Sequence, residues 1–217
     1  MNSSWISADW PAPANVIAGT TLRHSKFEDL NLGGEPCWLE QVHGSNVVRA
    51  TAYESAPVAD ASVSETETDI CVVRTADCLP VLLCAMDGSV VAAAHAGWRG
   101  LAGGVIENAV LAMSVADNNI LAWLGPAISQ PSFEVGAEVK DAFVTHDSAA
   151  EACFVANARG RWQGDLYALA RLRLDAIGVS SIHGGEFCTY LDAQRFHSYR
   201  RDPECGRMVS FIALKTP

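Results

Sequence analysis

DICVVRTADCLPVLLCAMDGSVVAAAHAGWRGLAGG, residues 69–104, contains one change of periodicity, and that change sets the fold class. Up to His95 the stretch is apolar and rich in β-branched residues. It is interrupted at Pro80 and at Asp87-Gly88, a dipeptide typical of hairpin turns, so it predicts buried strands. Beyond Gly97 the apolar positions Leu101, Val105, Ile106, Ala109, Val110 and Met113 recur at helical spacing. A buried strand therefore runs into a helix, with His95, Trp98 and Arg99 at the joint.

Working outward, Leu166, Leu169, Leu172 and Ile177 repeat the helical period behind Asp165 as N-cap and ahead of Gly178 as the residue past the C-terminus. GAEVKDAFVT (136–145) predicts a further helix. ILAWLGPAI, SSIHGGEFCTY and RMVSFIAL read as strands. The order β-β-α-β-α-α-β-β predicts an α/β fold with α+β character: a mixed β-sheet with packed helices. No repeat, low-complexity tract or linker divides the chain, so residues 1–217 are expected to form a single domain.

Composition narrows the function. Of 217 residues, 49% are hydrophobic and 18% charged, enough for a large core, and the formal net charge is −10. That balance argues against a nucleic-acid partner, because neutralising phosphates needs clustered Lys and Arg. The N-terminus lacks a basic region followed by an apolar one, and no run of about 18 apolar residues could cross a bilayer. A cytoplasmic protein with a small-molecule substrate and no membrane partner is expected. Seven cysteines, an odd number without any CxxC pair, speak against a disulfide framework and against zinc-finger or thioredoxin motifs.

Three short stretches carry candidate ligands. QVHGSNVV places His43 beside Gly44 at a turn, RTADCLPVLL places Cys78 ahead of a proline-led strand, and AAAHAGWRG places His95 at a strand end. If the strands are neighbours, two imidazoles and a thiolate meet at one sheet edge, and His2Cys with an open fourth position is a catalytic zinc set. The ordinary alternatives are a hydrogen-bonded core histidine for each imidazole and a packing residue for Cys78, and spacing does not choose between them.

These motifs, with LNLG ahead and LGP.I....FEVG.EV, DL, CT and FHSYRRD...GRM.SFI behind, resemble the bacterial laccase-domain family from about Gly19 to Leu214. That family was first described as multicopper polyphenol oxidases and is associated with purine nucleoside phosphorylase, adenosine deaminase and methylthioadenosine phosphorylase activities. The resemblance implies one zinc per chain held by His43, Cys78 and His95, at strand ends in a surface cleft. It also exposes a departure. Family members carry a helical stretch between the asparagine-leucine-glycine and glutamine-valine-histidine motifs, whereas LNLGGEPCWLEQVHG joins them directly, which predicts that one wall of the pocket is missing.

The implied chemistry suggests further residues. Zinc on three protein ligands lowers the pKa of its water to about 7, which would serve deamination at C6 of adenine. The glutamate of the H-x-E deaminase signature is absent, leaving Asp77 and, second to it, Glu40 as proton-transfer candidates. Phosphorolysis needs an anion site, for which Arg99 at the helix start is the first candidate, followed by Arg23 and Arg207. Asn31 and Gln41 are amides that could read a purine edge or a ribose hydroxyl, with turn formation the ordinary role of Asn31. Trp98 is expected to pack as a wall, and His24, His146, His183 and His197 lack a ligand-like context.

Other readings compete. A copper polyphenol oxidase with a full copper set is excluded by counting, because a blue-copper His2Cys site leaves four of six histidines for three further coppers. Copper could still occupy the one His2Cys site. An amidase that edits peptidoglycan precursors, and a non-catalytic protein in which the metal only staples strands, complete the set.

Overall fold

Side chains along Leu79–Ala85 alternate between two cores, and this alternation organises the molecule. Leu79, Val81, Leu83 and Ala85 join one buried cluster with the helical residues Leu101, Ile106 and Leu169. Leu82 and Cys84 point the other way, into a cluster shared with Cys71, Val73 and Ile212 of a second sheet. The computed structural model, which describes residues 4–215, therefore stacks helices, a six-stranded sheet and a five-stranded sheet. A third apolar cluster, built on Phe27, Ile70, Val72 and Phe211, lies on the far face of the five-stranded sheet.

The six-stranded sheet runs, edge to edge, Ser181–Gly184, Ile120–Leu124, Leu79–Ala85, Val91–Ala96, Ala61–Ser64 and Val47–Arg49. Its outer pairs are parallel and its inner pairs antiparallel. The five-stranded sheet runs Trp5–Ser7, Val16–Thr21, Met208–Leu214, Asp69–Thr75 and Glu35–Cys37, with only the last pair parallel. Both are mixed, as expected, but there are two where one was predicted. A small third sheet of Glu134–Val135, Trp162–Gly164 and Phe154–Ala156 adds strands of two and three residues, too short to show a period.

The helices fall at Trp98–Ala102, Val105–Met113, Ala137–Val144 and Leu166–Ala176. Asp165 caps the last as predicted, accepting the Ala168 N–H at 3.0 Å, and Gly178 follows its end with φ 88°. The predicted helix after Gly97 is two, because Gly104 takes φ 89° and breaks the run. Its apolar stripe is buried throughout all the same.

A second difference concerns Pro80. It does not interrupt the strands but lies second in Leu79–Ala85, near a strand start, where a missing N–H is tolerated. The break comes three residues earlier, at Asp77, whose φ is 87°. All seven cysteines are free thiols, and Cys37, Cys71, Cys84 and Cys153 are buried. Among the described residues no helix is long and apolar enough to cross a membrane.

Candidate metal centre

The antiparallel pairing of Leu79–Ala85 with Val91–Ala96 sets Leu79 opposite Ala96 and Pro80 opposite His95. Cys78, one step before the first strand, is thereby brought beside the end of the second. His43 arrives from the 41–46 loop. Its backbone takes φ 61°, and three successive N–H groups there, of Val42, His43 and Gly44, donate to the Asp60 carboxylate at 3.2, 2.9 and 2.7 Å. The same carboxylate accepts a 2.8 Å hydrogen bond from His95 Nδ1. Asp60 is fully buried, so one anion ties both histidines in place.

The His95–Asp60 bond also decides which His95 nitrogen faces the other donors. With Nδ1 donating to Asp60, the neutral ring carries its lone pair on Nε2, the arrangement by which carboxylates orient metal-bound imidazoles, and a metal there would displace the proton that the charged ring holds. The ligand atoms of His43, Cys78 and His95 lie within 4.8 Å of one another. His43 Nε2 is 3.8 Å from Cys78 Sγ, and the two rings stand edge to face at 4.8 Å.

Charge is distributed accordingly. Burial pushes the Cys78 thiol up, but the His43 and His95 rings together outweigh it and bring the thiol down to about 7. Burial also works against a charged His95, yet the Asp60 carboxylate and the Cys78 sulfur raise it to about 9. Asp60 itself is held below the usual carboxylate range: the His95 ring and the backbone donors overcome its desolvation.

The glycines of HAGWRG keep this space open. A Cβ on Gly97 would stand 2.9 Å from Cys78 Sγ and 3.0 Å from His43 Cδ2, filling the gap between the donors. A Cβ on Gly100 would stand 2.7 Å from the Gly44 carbonyl and push the helix off the His43 loop. A thiolate and two imidazoles around such a gap are suited to a transition metal, and the cluster could bind one. It is the one group of three or more such donors among the described residues.

The cluster lies in a cleft of about 800 Å³. Of the other residues singled out from sequence, Gln41, Asp77, Arg99 and Arg207 line it, whereas Arg23, Asn31 and Glu40 do not. Arg99 stacks on Trp98, 4.3 Å from guanidinium carbon to ring centre, and its guanidinium makes no hydrogen bond among the described residues. Its helix has only five residues, so the guanidinium rather than a helix end is what Arg99 offers an anion.

Two of these side chains are already hydrogen-bonded. Asp77 accepts from Thr189 Oγ1 at 2.6 Å, Ser198 Oγ at 3.0 Å and the Arg200 N–H at 2.7 Å, so both its oxygens are engaged. The Gln41 amide pairs with the Arg74 backbone, donating to its carbonyl at 2.9 Å and accepting its N–H at 2.8 Å, which leaves one amide N–H over. Asn31 ends a 3-10 turn in the left-handed region at φ 48°, its ordinary role. Arg23 donates to the Ala193 carbonyl at 2.9 Å.

The short link after Asn31 borders a different hollow, lined by Phe27, Leu32, Gly33, Trp38 and Ile70, and contributes nothing to the metal cleft. Sequence reasoning missed Asp60, along with Arg74, Phe133, Tyr199 and Arg200, which line it.

Comparison with known proteins adds the following. Residues 13–215 match the family model described as multi-copper polyphenol oxidoreductase laccase. An Escherichia coli K12 protein named purine nucleoside phosphorylase YfiH is 52% identical over 242 aligned residues, covering 98% of this chain and 99% of the relative. A Pseudomonas aeruginosa protein also named purine nucleoside phosphorylase is 45% identical over 241 residues, with the same coverage. Both aligned lengths exceed the 217 residues here, so each relative has positions without a counterpart in this chain. The crystal structure of a Neisseria meningitidis protein of the DUF152 family superposes with a TM-score of 0.94 at 43% identity, covering 99% of this chain and all of that one.

Proposed function

The chain belongs to the multi-copper polyphenol oxidoreductase laccase family, and we propose that within it the protein is a zinc enzyme of purine nucleoside metabolism. It cleaves adenosine, inosine or methylthioadenosine with phosphate and deaminates adenosine. One observation carries this reading: a single thiolate–imidazole donor set and an unpartnered guanidinium, Arg99, open into one cleft. The names borne by the E. coli and P. aeruginosa relatives support it.

His43, Cys78 and His95 would hold the metal, with Asp60 fixing the His95 imidazole and the backbone that carries His43. When bound, zinc supplies a Lewis acid and a water of pKa about 7 at the fourth position. Arg99 holds phosphate through a bidentate contact while a phosphate oxygen attacks C1′ and the purine leaves with the electron pair of its bond to C1′, taking a proton from solvent in the open cleft. Trp98 and Tyr199, both in the lining, supply aromatic surface on which a base can stack. Asp77 keeps the Arg200 backbone, and with it that side of the cleft, in position.

The deciding assay uses metal-replete protein and adenosine, with and without phosphate. Adenine formed only with phosphate reports phosphorolysis, inosine formed without it reports deamination, and hypoxanthine with phosphate reports both. Copper competes for the same donors, and elemental analysis showing several coppers per chain would overturn the zinc assignment. Absence of turnover on any purine nucleoside would leave the amide-hydrolysis or purely structural readings of the metal.

A further inference from the structure

The cleft is cationic in a protein that is not. Four arginines line it, Arg74, Arg99, Arg200 and Arg207, against one carboxylate, Asp77, whose oxygens are already occupied. Outside it, Arg49, Arg159, Arg173, Arg195 and Lys140 each pair with an acidic side chain. None of the four cleft arginines makes an ion pair among the described residues, although acidic residues outnumber basic ones 25 to 15. Gathering unpaired like charges in one concavity is unfavourable unless an anion joins them.

Orthophosphate alone does not account for the set. One dianion is satisfied by one or two guanidinium forks, and Arg99, with no other hydrogen bond, suffices to begin one. Arg200 and Arg207 come from a separate segment of chain. Arg200 stacks over Phe133 while donating to the Ser132 and Glu134 carbonyls, and Arg207 stacks over Tyr199 while donating to the Cys205 and Gly206 carbonyls. Each uses only part of its five donors, and each is held beside an aromatic ring and by backbone carbonyls, which limits the freedom the fork must lose on binding. Tyr199 is 54% exposed and can also stack a base. The volume of about 800 Å³ lies in the upper part of the range for small-molecule sites, with room for more than a nucleoside.

We propose that the cleft takes its purine nucleoside as a phosphate ester, a purine nucleotide whose phosphate is gripped by Arg207 and Arg200. This rests on the purine-nucleoside reading for the base and sugar. The phosphate grip rests on the arginines.

Calorimetric titration of zinc-loaded protein with adenosine, adenosine 5′-monophosphate and inorganic phosphate tests it. The monophosphate should bind about tenfold or more tighter than adenosine, since a charged fork is added, and the advantage should shrink as salt is raised. Inorganic phosphate at saturation should leave most of the advantage in place, which separates an esterified phosphate from the co-substrate. Arg207→Ala should abolish the advantage, and Arg207→Lys should restore part of it, because charge returns without the fork. Zinc content and melting temperature, measured on the same samples, show that both variants are folded. Equal affinity for adenosine and its monophosphate, or an advantage that survives Arg207→Ala or vanishes with saturating phosphate, overturns the proposal. If adenosine is cleaved with phosphate but the monophosphate binds no tighter, this inference alone fails. If the monophosphate binds tightly and no nucleoside is turned over, the proposed function fails instead.

Discussion

Two buried aspartates flank the metal cluster, and they organise different halves of the site. Asp60 faces the metal: it accepts from His95 Nδ1 and from three backbone N–H groups of the His43 loop. Asp77 faces the cleft: it accepts from Thr189, Ser198 and the Arg200 backbone, all in the C-terminal segment that brings Tyr199 and Arg200 to the lining. Each is a carboxylate whose oxygens are engaged by several donors. The difference lies in what those donors belong to, so the same chemistry orients ligands in one half and positions a substrate wall in the other. Asp77 is also covalently next to Cys78, which makes it the link between the halves.

The largest effects should come from the donors. His95→Ala leaves two protein ligands, and Cys78→Ser removes the thiolate. Each should reduce bound zinc to a small fraction of the wild-type content, together with any activity. Gly97→Ala tests the same half without removing a ligand, because its methyl would enter the gap between Cys78 and His43. Elemental analysis after gel filtration reads all three. Full zinc occupancy in folded His95→Ala protein would make His95 a core histidine, with a stability loss of about 1–3 kcal/mol as its only signature.

Asp60→Asn comes next. Loss of an outer-shell carboxylate typically weakens metal affinity about 10–100-fold, and removing one partner of a buried charged pair costs about 3–5 kcal/mol, so a lower melting temperature should accompany weaker zinc binding in competition with a chelator. Asp77→Asn should behave differently. Asparagine tolerates the positive φ of this position, so the change removes charge while sparing the backbone. Weakening one charge-assisted bond predicts a drop of about tenfold in kcat/KM, or 1.4 kcal/mol, with zinc content unchanged. If Asp77→Asn loses zinc as readily as Asp60→Asn, the division between the halves collapses.

The halves also differ in how far the sequence revealed them. The hairpin around Asp87-Gly88 is a local signal that offers His95 and Cys78 as neighbours, because once its strands pair, residue 78 must lie beside the end of the strand that carries residue 95. The family resemblance, not the spacing, singled them out as ligands. Asp60 was not legible, since VADASV looks like any strand entrance and its partner histidine is 35 residues away. Asp77 was singled out for its place in a motif, and its three distant donors carry no local signal. The same holds for Gln41, whose pairing with the Arg74 backbone joins residues 33 apart. The second large sheet was hidden because it draws strands from both ends of the chain, Val16–Thr21 and Met208–Leu214, and no local period records that pairing. The split after Gly97 was missed because the apolar stripe continues across Gly104 while the backbone does not.

The smallest expected effect is the most selective. Arg99 touches neither the metal donors nor Asp77 through any hydrogen bond, and its guanidinium lies over the Trp98 ring with its donors on no acceptor among the described residues. Arg99→Ala should therefore leave zinc content unchanged and cost little stability, since the side chain is exposed. Its effect should fall on phosphate: the phosphate KM of nucleoside cleavage rises by about tenfold, the worth of one charge-assisted contact, while phosphate-independent deamination of adenosine is spared. Arg99→Lys should recover only part of the loss, because an ammonium cannot form the bidentate fork. Equal loss of phosphate-dependent and phosphate-independent turnover in Arg99→Ala would mean that Arg99 supports the fold of the Trp98 turn rather than an anion. It would also leave Arg74, Arg200 and Arg207 as the remaining places in the cleft for phosphate to bind.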